Sequence, residues 1–425
     1  MRPKKLGAYP TYLILGGASA FFSTIMFTLN QLYQLQVAHL NPLQLVLVGT
    51  VLETTVFLTQ VPTGALADVY SRRLAVIVGI FLIGAGFILE GAIPRFETIL
   101  LAQVIWGVGA TFTDGADSAW ITDEIGEEQV GHAFLRASQL GQVLSLVAIP
   151  ISVALGSVRL NVPILVGAGL YVLLGVFLIA FMPEQGFKPT PREDRASGGG
   201  RWQALAETTR SGVRLIRRRP ILLTFLGITL LYGAFSEGFD RLWIAHLVDN
   251  FSFPALGHFQ PVVWFGIISA GSMLLCIGAI EVVRRRVDMN RHRQVAWALF
   301  AFTALLSASV MLFALAGSFF LALAAYWIAS VFRRIRVPVF NTWLTQNIDP
   351  SVRATVLSID GQTDALGQIA GGPALGAVAT YGSLRAALAL AGAILLPALL
   401  LFVRAGRQGR ASAPAAGEPV AAVEL

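Results

Sequence analysis

Charge, cysteine and metal-ligand spacing are all scarce in this chain. Asp, Glu, Lys and Arg make up 13% of 425 residues, against 55% hydrophobic residues. A soluble protein carries roughly 25% charge, and a mean hydropathy of +0.69 leaves too little polar surface to cover a water-soluble fold. Cys276 is the sole cysteine, which excludes a disulfide framework and a thiolate metal cluster. The five histidines, His39, His132, His246, His258 and His292, show no HExxH or related ligand spacing. No metal site and no cofactor is expected. Stretches that alternate apolar and polar over ~10 residues are also missing, so a membrane-spanning β-barrel is excluded. No nucleophile–base pair points to an enzyme.

Long apolar runs take the place of these features. Segments of ~20 residues, enough for a helix to cross ~30 Å of hydrocarbon, recur near 11–36, 43–66, 74–94, 98–121, 136–156, 161–182, 221–247, 259–283, 294–315, 317–339, 355–380 and 384–403. The expectation is an all-α polytopic membrane protein with twelve transmembrane helices. Arg2, Lys4, Lys5, Arg72, Arg73, Arg284–Arg286, Arg291, Arg293, Arg404, Arg407 and Arg410 cluster in alternate loops, whereas Arg95, Arg159 and Arg385 are nearly alone in the others. The positive-inside bias places both termini in the cytoplasm, and the membrane is expected to be a bacterial inner membrane. It also accounts for the net charge of +7, so nucleic acid is not an expected partner. The apolar run after Met1 is too long for a cleaved signal, and the first helix is read as uncleaved.

Six spans precede and six follow a Pro-, Gly- and charge-rich segment, so the domains read as 1–183, a linker at 184–220, 221–404, and a disordered cytoplasmic tail at 405–425. Within the linker, Trp202, Leu205, Val213, Leu215 and Ile216 lie among Arg and Glu, the pattern of a short amphipathic helix on the membrane surface. The halves repeat one another. Asp117-Ser-Ala-Trp120-Ile-Thr122-Asp-Glu-Ile125 aligns with Phe340-Asn-Thr-Trp343-Leu-Thr345-Gln-Asn-Ile348 at an offset of 223, which also carries Gln139 onto Gln362 and Pro150 onto Pro373. At another offset Asn30-Gln31-Leu32-Tyr33 matches Asp240-Arg241-Leu242-Trp243. Paired six-helix halves are the architecture of alternating access.

Ionisable groups within the hydrocarbon cost at least ~2.5–3.5 kcal/mol, so each is a functional candidate. Glu53 lies close to the middle of the second span, on a polar stripe of Thr50, Glu53, Thr54, Phe57, Gln60 and Gly64 at helical spacing. That stripe is expected to face a central cavity, where loss of water disfavours the charged carboxylate and lets it carry a proton. In span seven, Glu237 and Arg241 are four apart and can pair; Asp240 is one turn from Glu237. Glu53, Glu237, Asp240 and Arg241 form the expected proton-coupling set. Asn30, Gln31 and Gln34 of span one are expected opposite, as part of a substrate site or an outer gate. Arg333, Arg334 and Arg336 of span ten, Asp114 and Asp117 of span four, and Asp360 and Asp364 of span eleven suit an inner salt-bridge belt joining the halves; snorkelling of the arginines is the alternative.

Between spans two and three the chain reads Gly64-Ala-Leu-Ala-Asp68-Val-Tyr-Ser71-Arg72-Arg73. This resembles the loop between the second and third helices of the major facilitator superfamily of secondary transporters. The resemblance covers essentially the whole chain and implies two pseudo-symmetric six-helix bundles. It implies that Asp68 meets the N-terminus of the eleventh helix, where the helix dipole favours a carboxylate, and that Arg72 and Arg73 pair with Asp123 and Glu124. Val69 and Ser71 depart from the pattern, which usually has Arg and Gly; Ser71 can still cap a helix. Gly367-Gln-Ile-Ala-Gly371-Gly372-Pro373-Ala-Leu-Gly376 in span eleven is similar to the Gly-Pro motif that antiporters of this superfamily carry in their fifth helix; span five keeps Gly141, Pro150 and Gly156. Close helix packing explains those glycines equally well.

The chain as a whole is similar to the twelve-helix drug:proton antiporters of macrolide and tetracycline efflux. That implies a monomer that exports an amphipathic small molecule against protons through a cavity lined by Trp106, Tyr232, Phe235, Trp264 and Trp327. Alternatives are a proton-coupled carrier of one metabolite (nutrient uptake, siderophore or lysolipid export) and a non-transporting membrane sensor.

Overall fold

The computed structural model describes residues 6–187, 219–348 and 353–408. Among these, fourteen helices follow in chain order: α1 (Ala8–Gln36), α2 (Pro42–Val69), α3 (Arg72–Ala92), α4 (Phe96–Thr113), α5 (Ala116–Ile125), α6 (Glu127–Val158), α7 (Val162–Phe181), α8 (Pro220–Asn250), α9 (Val263–Arg286), α10 (His292–Leu315), α11 (Phe319–Gln346), α12 (Arg353–Tyr381), α13 (Leu384–Ile394) and α14 (Leu396–Arg407). Ten helical stretches are long and apolar enough to cross a membrane by length and composition. Two of the ten join consecutive helices, α4 with α5 and α13 with α14. The other two spans read from sequence are α11 and α12. Arg333, Arg334 and Arg336 interrupt the first, and Asp360 and Asp364 interrupt the second.

The elements start where sequence chemistry puts them. Asn41 caps α2 in a reciprocal capping box with Gln44, and Pro42 occupies the first turn where its missing N–H costs nothing. Ser71 caps α3 by accepting from the Leu74 N–H, as its position in the loop motif predicts. The fourth span is not one continuous helix. Gly115 takes a left-handed backbone (φ 76°) between α4 and α5, a conformation only glycine adopts at no steric cost. The linker helix around Trp202 and the tail after 408 lie outside the described residues.

Helices α1–α7 pack among themselves around Tyr33, Phe87, Trp120 and Ala168. Helices α8–α14 surround a second core that includes Phe225, Phe235, Leu299, Phe313 and Trp343. With lipid tails as apolar as leucine, such contacts stabilise through close packing and buried hydrogen bonds rather than through water release. The repeat has a physical counterpart here. Trp120 and Trp343 are both buried, their indole N–H groups donating to the Pro183 carbonyl (2.8 Å) and to His292 Nδ1 (2.9 Å).

The halves meet along two seams. One sets α2 against α12 and α8; the other sets α6 against α9. Helix α12 approaches closely through the glycines of its motif: a Cβ on Gly371 would press on Ala234 of α8, and one on Gly372 would sit 2.9 Å from the Glu237 side chain. The packing alternative therefore has a direct structural basis. Arg72, Arg73, Arg284–Arg286 and Arg404 lie at one end of the helices, here named the basic face. At the opposite end Leu29, Leu32 and Val153 pack with Ile244, Val262 and Phe265 in a cluster shared by both halves, and Gly266 lies against Val153.

Candidate functional site

Every charged group expected to couple protons except Glu53 is in a defined ion pair. Glu237 Oε1 accepts from Arg241 Nε at 3.0 Å, with the Glu237 side chain only 4% exposed. Asp240, one turn away, holds Arg333 of α11 through both guanidinium NH groups. On α2, Gly49 sits so close that a Cβ there would overlap the Glu237 carboxylate and reach Arg241. Glu53 is the next turn of the same helix, half-buried, within electrostatic reach of Glu237, Arg241, Asp364 and Asp240. Four acids, Asp364 among them, and two guanidinium groups are thus gathered at the boundary between the halves. The polar stripe of α2 is in packed contact rather than facing the expected central cavity: Thr50 lies against Gly372 of the other half, and Gln60 bonds Gln362 of that half (3.3 Å) and Asp114 of its own (3.2 Å).

Span one meets span seven as expected. Gln31 donates to the Asp240 backbone carbonyl at 2.5 Å, so the two tetrapeptides matched as a repeat touch across the pseudo-symmetry axis. Asn30 and Gln34 instead turn into the first half. Their amides donate to Glu90 Oε1 at 2.9 and 2.7 Å, while Gln103 donates to Glu90 Oε2 at 3.0 Å and accepts from the Trp106 indole at 2.8 Å. Glu90 is fully buried and has no ion pair among the described residues. Its place four residues from the end of span three gives it the sequence position of a boundary group. The signal that points to it is the set of amide-bearing residues in spans one and four.

The inner belt has different partners from those expected. Arg333 takes Asp240 rather than an acid of span four. Arg336 stacks on Tyr232, its guanidinium carbon 3.3 Å from the ring centre, and also covers Phe340; its Nε is buried without a hydrogen-bond partner. Asp360 accepts from Thr229 (2.6 Å), Asp364 from Gln368 (2.9 Å), and Asp117 caps the Ser118 N–H. These acids satisfy local donors, and none pairs across the halves among the described residues.

The loop motif makes one of the contacts that the resemblance implies, Arg72 with Asp123, and differs in the partner of Arg73. Arg72 bonds Asp123 at 2.5 Å and Asp68 at 3.4 Å. Arg73 turns away from the fourth span to the Met182 and Ile179 carbonyls. Glu124 instead accepts from the Gln185 and Gly186 N–H groups, and Glu184 accepts from Ser71 and the Arg73 N–H. The hinge is tied to the end of the sixth span. Residues 349–352, before α12, are outside the described residues, so the expected contact of Asp68 with that terminus is too.

A cavity of about 770 Å³ lies between the halves, within the ~300–1,000 Å³ of small-molecule sites. Its walls come from α1, α5 and α6 on one side and α9 and α11 on the other. Tyr12, Ser118 and Phe134 line its end near the basic face, and Thr24, Ser145, Ser272 and Arg334 line its middle. The shared apolar cluster lies beyond it, toward the opposite face. Trp106, Tyr232, Phe235, Trp264 and Trp327 are not among its lining residues. Phe235 stacks on Phe239, Tyr232 bonds Thr303, Trp264 packs on Phe319 and bonds the Pro254 carbonyl, and Trp327 bonds the Ile268 carbonyl.

Residues 11–308 match the sequence profile of the Major Facilitator Superfamily. The chain belongs to this superfamily. As a member it is a multi-pass membrane transporter rather than an enzyme, and it is 22% identical over 367 residues to the uncharacterized MFS-type transporter YxaM of Bacillus subtilis (strain 168), covering 85% of this chain and 86% of that one. Solved superfamily structures share the fold. The nucleoside transporter NupG superposes with a TM-score of 0.73 at 14% identity, covering 94% of this chain and 99% of that one. A POT family transporter in complex with 5-aminolevulinic acid gives 0.74 at 14%, covering 94% and 96%. A bacterial homologue of the lysosomal transporter Spinster, in an inward-facing and unoccupied conformation, gives 0.71 at 13%, covering 94% and 96%.

Proposed function

We propose that this superfamily member is a proton-coupled secondary transporter of the cell membrane, with both termini in the cytoplasm, working by alternating access as a monomer. The observation that carries this reading is the charge cluster between the halves. Glu237 is paired with Arg241 and Asp240 with Arg333, while Glu53 lies within electrostatic reach of both acids and of Arg241. Isolated charge is costly in hydrocarbon, and Glu53 is the acid of this set with no ion pair among the described residues, so a proton is what neutralises it. Movement of α2 past α8 changes which acid faces Arg241, which links protonation to the position of the halves. The basic face is then cytoplasmic, and the cavity opens inward while Leu29, Leu32, Phe265 and their neighbours seal the outside. Asp68, Arg72 and Asp123 act as the cytoplasmic hinge.

Export of amphipathic drugs rests on the resemblance to efflux proteins. The cavity wall favours the other transporter reading, a carrier of one small polar metabolite, because its middle is lined by hydroxyl groups and one arginine. Proton movement in acid-loaded everted vesicles tests both, with a panel of amphipathic drugs beside polar metabolites. Substrate-dependent alkalinisation that is lost in Glu237→Gln is expected. A protein that is folded and inserted but moves no protons with any compound would contradict coupling.

A further inference from the structure

Seven of the eighteen residues lining the central cavity are Ser or Thr, two are Gly and three are Ala or Met. None is acidic, and Arg334 is the one cation among them. A cavity built for lipophilic cations has free aromatic faces or an acid to balance the charge. This one holds no acid; of its three aromatic lining residues, Tyr326 is already stacked on Phe239 and Trp243, and Tyr12 and Phe134 pack on each other at the end near the basic face, away from Arg334. Arg334 lies near the midpoint of α11, exposed to the cavity. It differs from its neighbours, since Arg333 is held by Asp240 and Arg336 is stacked between two rings. Arg334 has no ion pair among the described residues. A guanidinium at this depth is costly unless an anion or water faces it, and its planar fork suits a carboxylate or phosphate.

The wall opposite and the neighbouring α9 supply the rest of a polar site. Thr24 donates to Ser145 at 2.9 Å, so hydroxyls of α1 and α6 meet at mid-span. On α9, Ser272 is 5% exposed, and its Oγ is buried without a hydrogen-bond partner while its side chain lines the cavity. A buried polar atom left unpaired is destabilising, and a substrate hydroxyl would relieve that. We infer that the substrate is a small hydroxylated anion: Arg334 binds its carboxylate or phosphate, and Ser272 with the Thr24–Ser145 pair binds its hydroxyls. This rests on the transport reading above and names its substrate class.

Equilibrium binding to the purified protein in nanodiscs tests it with four probes: gluconate, glucose 6-phosphate, glucose and tetraphenylphosphonium. At least one of the two acids should bind, about 10-fold or more tighter than glucose, as expected for a hydrogen bond to a charged group; which acid it is separates carboxylate from phosphate. Arg334→Gln should erase that margin and Arg334→Lys should keep most of it. Ser272→Ala should weaken the hydroxylated acid several-fold without lowering the stability of the protein. Binding of tetraphenylphosphonium in preference to the acids, binding of none of the four, or an anion preference that survives Arg334→Gln overturns the inference. Anion binding without any proton movement in vesicles would instead sink coupling and leave the substrate class standing.

Discussion

Removing one partner of the Glu237–Arg241 pair should have consequences that depend on which partner goes. The pair is closed at 3.0 Å, with side chains 4% and 17% exposed. Breaking such a buried pair costs about 3–5 kcal/mol, because the remaining charge is left without compensation. In Glu237→Gln the remaining group is a guanidinium, which cannot shed its proton. Glu53 is still within reach of Arg241, which puts the loss at the lower end, about 3 kcal/mol. For a cooperative unit of 150–250 residues, at ~2–4 °C per kcal/mol, that is a fall of roughly 6–12 °C in apparent Tm. In Arg241→Gln the remaining group is a carboxylate beside Asp240 and Glu53, and it can neutralise itself by binding a proton. Its penalty should shrink as pH falls and grow as pH rises, whereas the Glu237→Gln penalty should move the other way, because Glu53 stops compensating Arg241 once it binds a proton. The double variant Glu237→Gln/Arg241→Gln should be more stable than either single change implies by addition. Thermal unfolding of detergent-solubilised protein, followed by size-exclusion fluorescence across mildly acidic to mildly alkaline pH, measures all three. Equal penalties with equal pH dependence, or strict additivity, would refute the assignment of Glu237 and Arg241 as a buried ion pair.

Three further outcomes follow from other parts of the molecule. Gly49→Ala should cost about 1–3 kcal/mol as an overpacked site and lower coupled transport, since the new methyl overlaps the Glu237 carboxylate; normal Tm and transport would contradict the close approach of α2. Glu90→Ala leaves Asn30, Gln34 and Gln103 without their shared acceptor, so a loss of at least about 3 kcal/mol is expected from unpaired buried amides, read as a Tm drop. Asp123→Asn should slow turnover several-fold with little change in substrate affinity, because it weakens a hinge contact (2.5 Å to Arg72); a change confined to affinity would place Asp123 in the binding site instead.

Much of this architecture is legible in the residues. Apolar run length marks helices directly when the solvent is lipid, and the Trp120/Trp343 register identifies two similar halves without any contact being known. The Glu237–Arg241 pair follows from helical spacing alone, and Gln31 opposite Asp240 follows from pairing span one with span seven. Cross-helix partners are harder to read. Arg333, Arg334 and Arg336 are almost adjacent, yet one is paired, one lines the cavity and one is stacked, because a rotation of about 100° per residue sends each to a different neighbour. Glu90 escapes a reading of its own span because the amides that hold it come from two other helices. The cavity wall is illegible for a related reason. Ser and Thr bond their own helix carbonyls, as Thr28 does to Thr24 at 2.7 Å, so they sit in a lipid-facing or a cavity-facing position equally well. Large aromatics, by contrast, are conspicuous in sequence, but here they fill the bundle cores.

The central claim is that protonation of the cluster formed by Glu53, Glu237 and Asp240 sets the relative position of the two halves. Distance measurement between spin labels at Val37 and Ser252, on the face opposite the arginines, tests it without knowledge of the substrate. Cys276, the sole native cysteine, is replaced by Ser for this purpose. The account predicts a distance distribution that shifts between mildly acidic and mildly alkaline pH, and a fixed distribution once Glu53→Gln and Glu237→Gln are combined. A distribution that ignores pH in the otherwise unaltered protein, or one that still responds in the double variant, would contradict it.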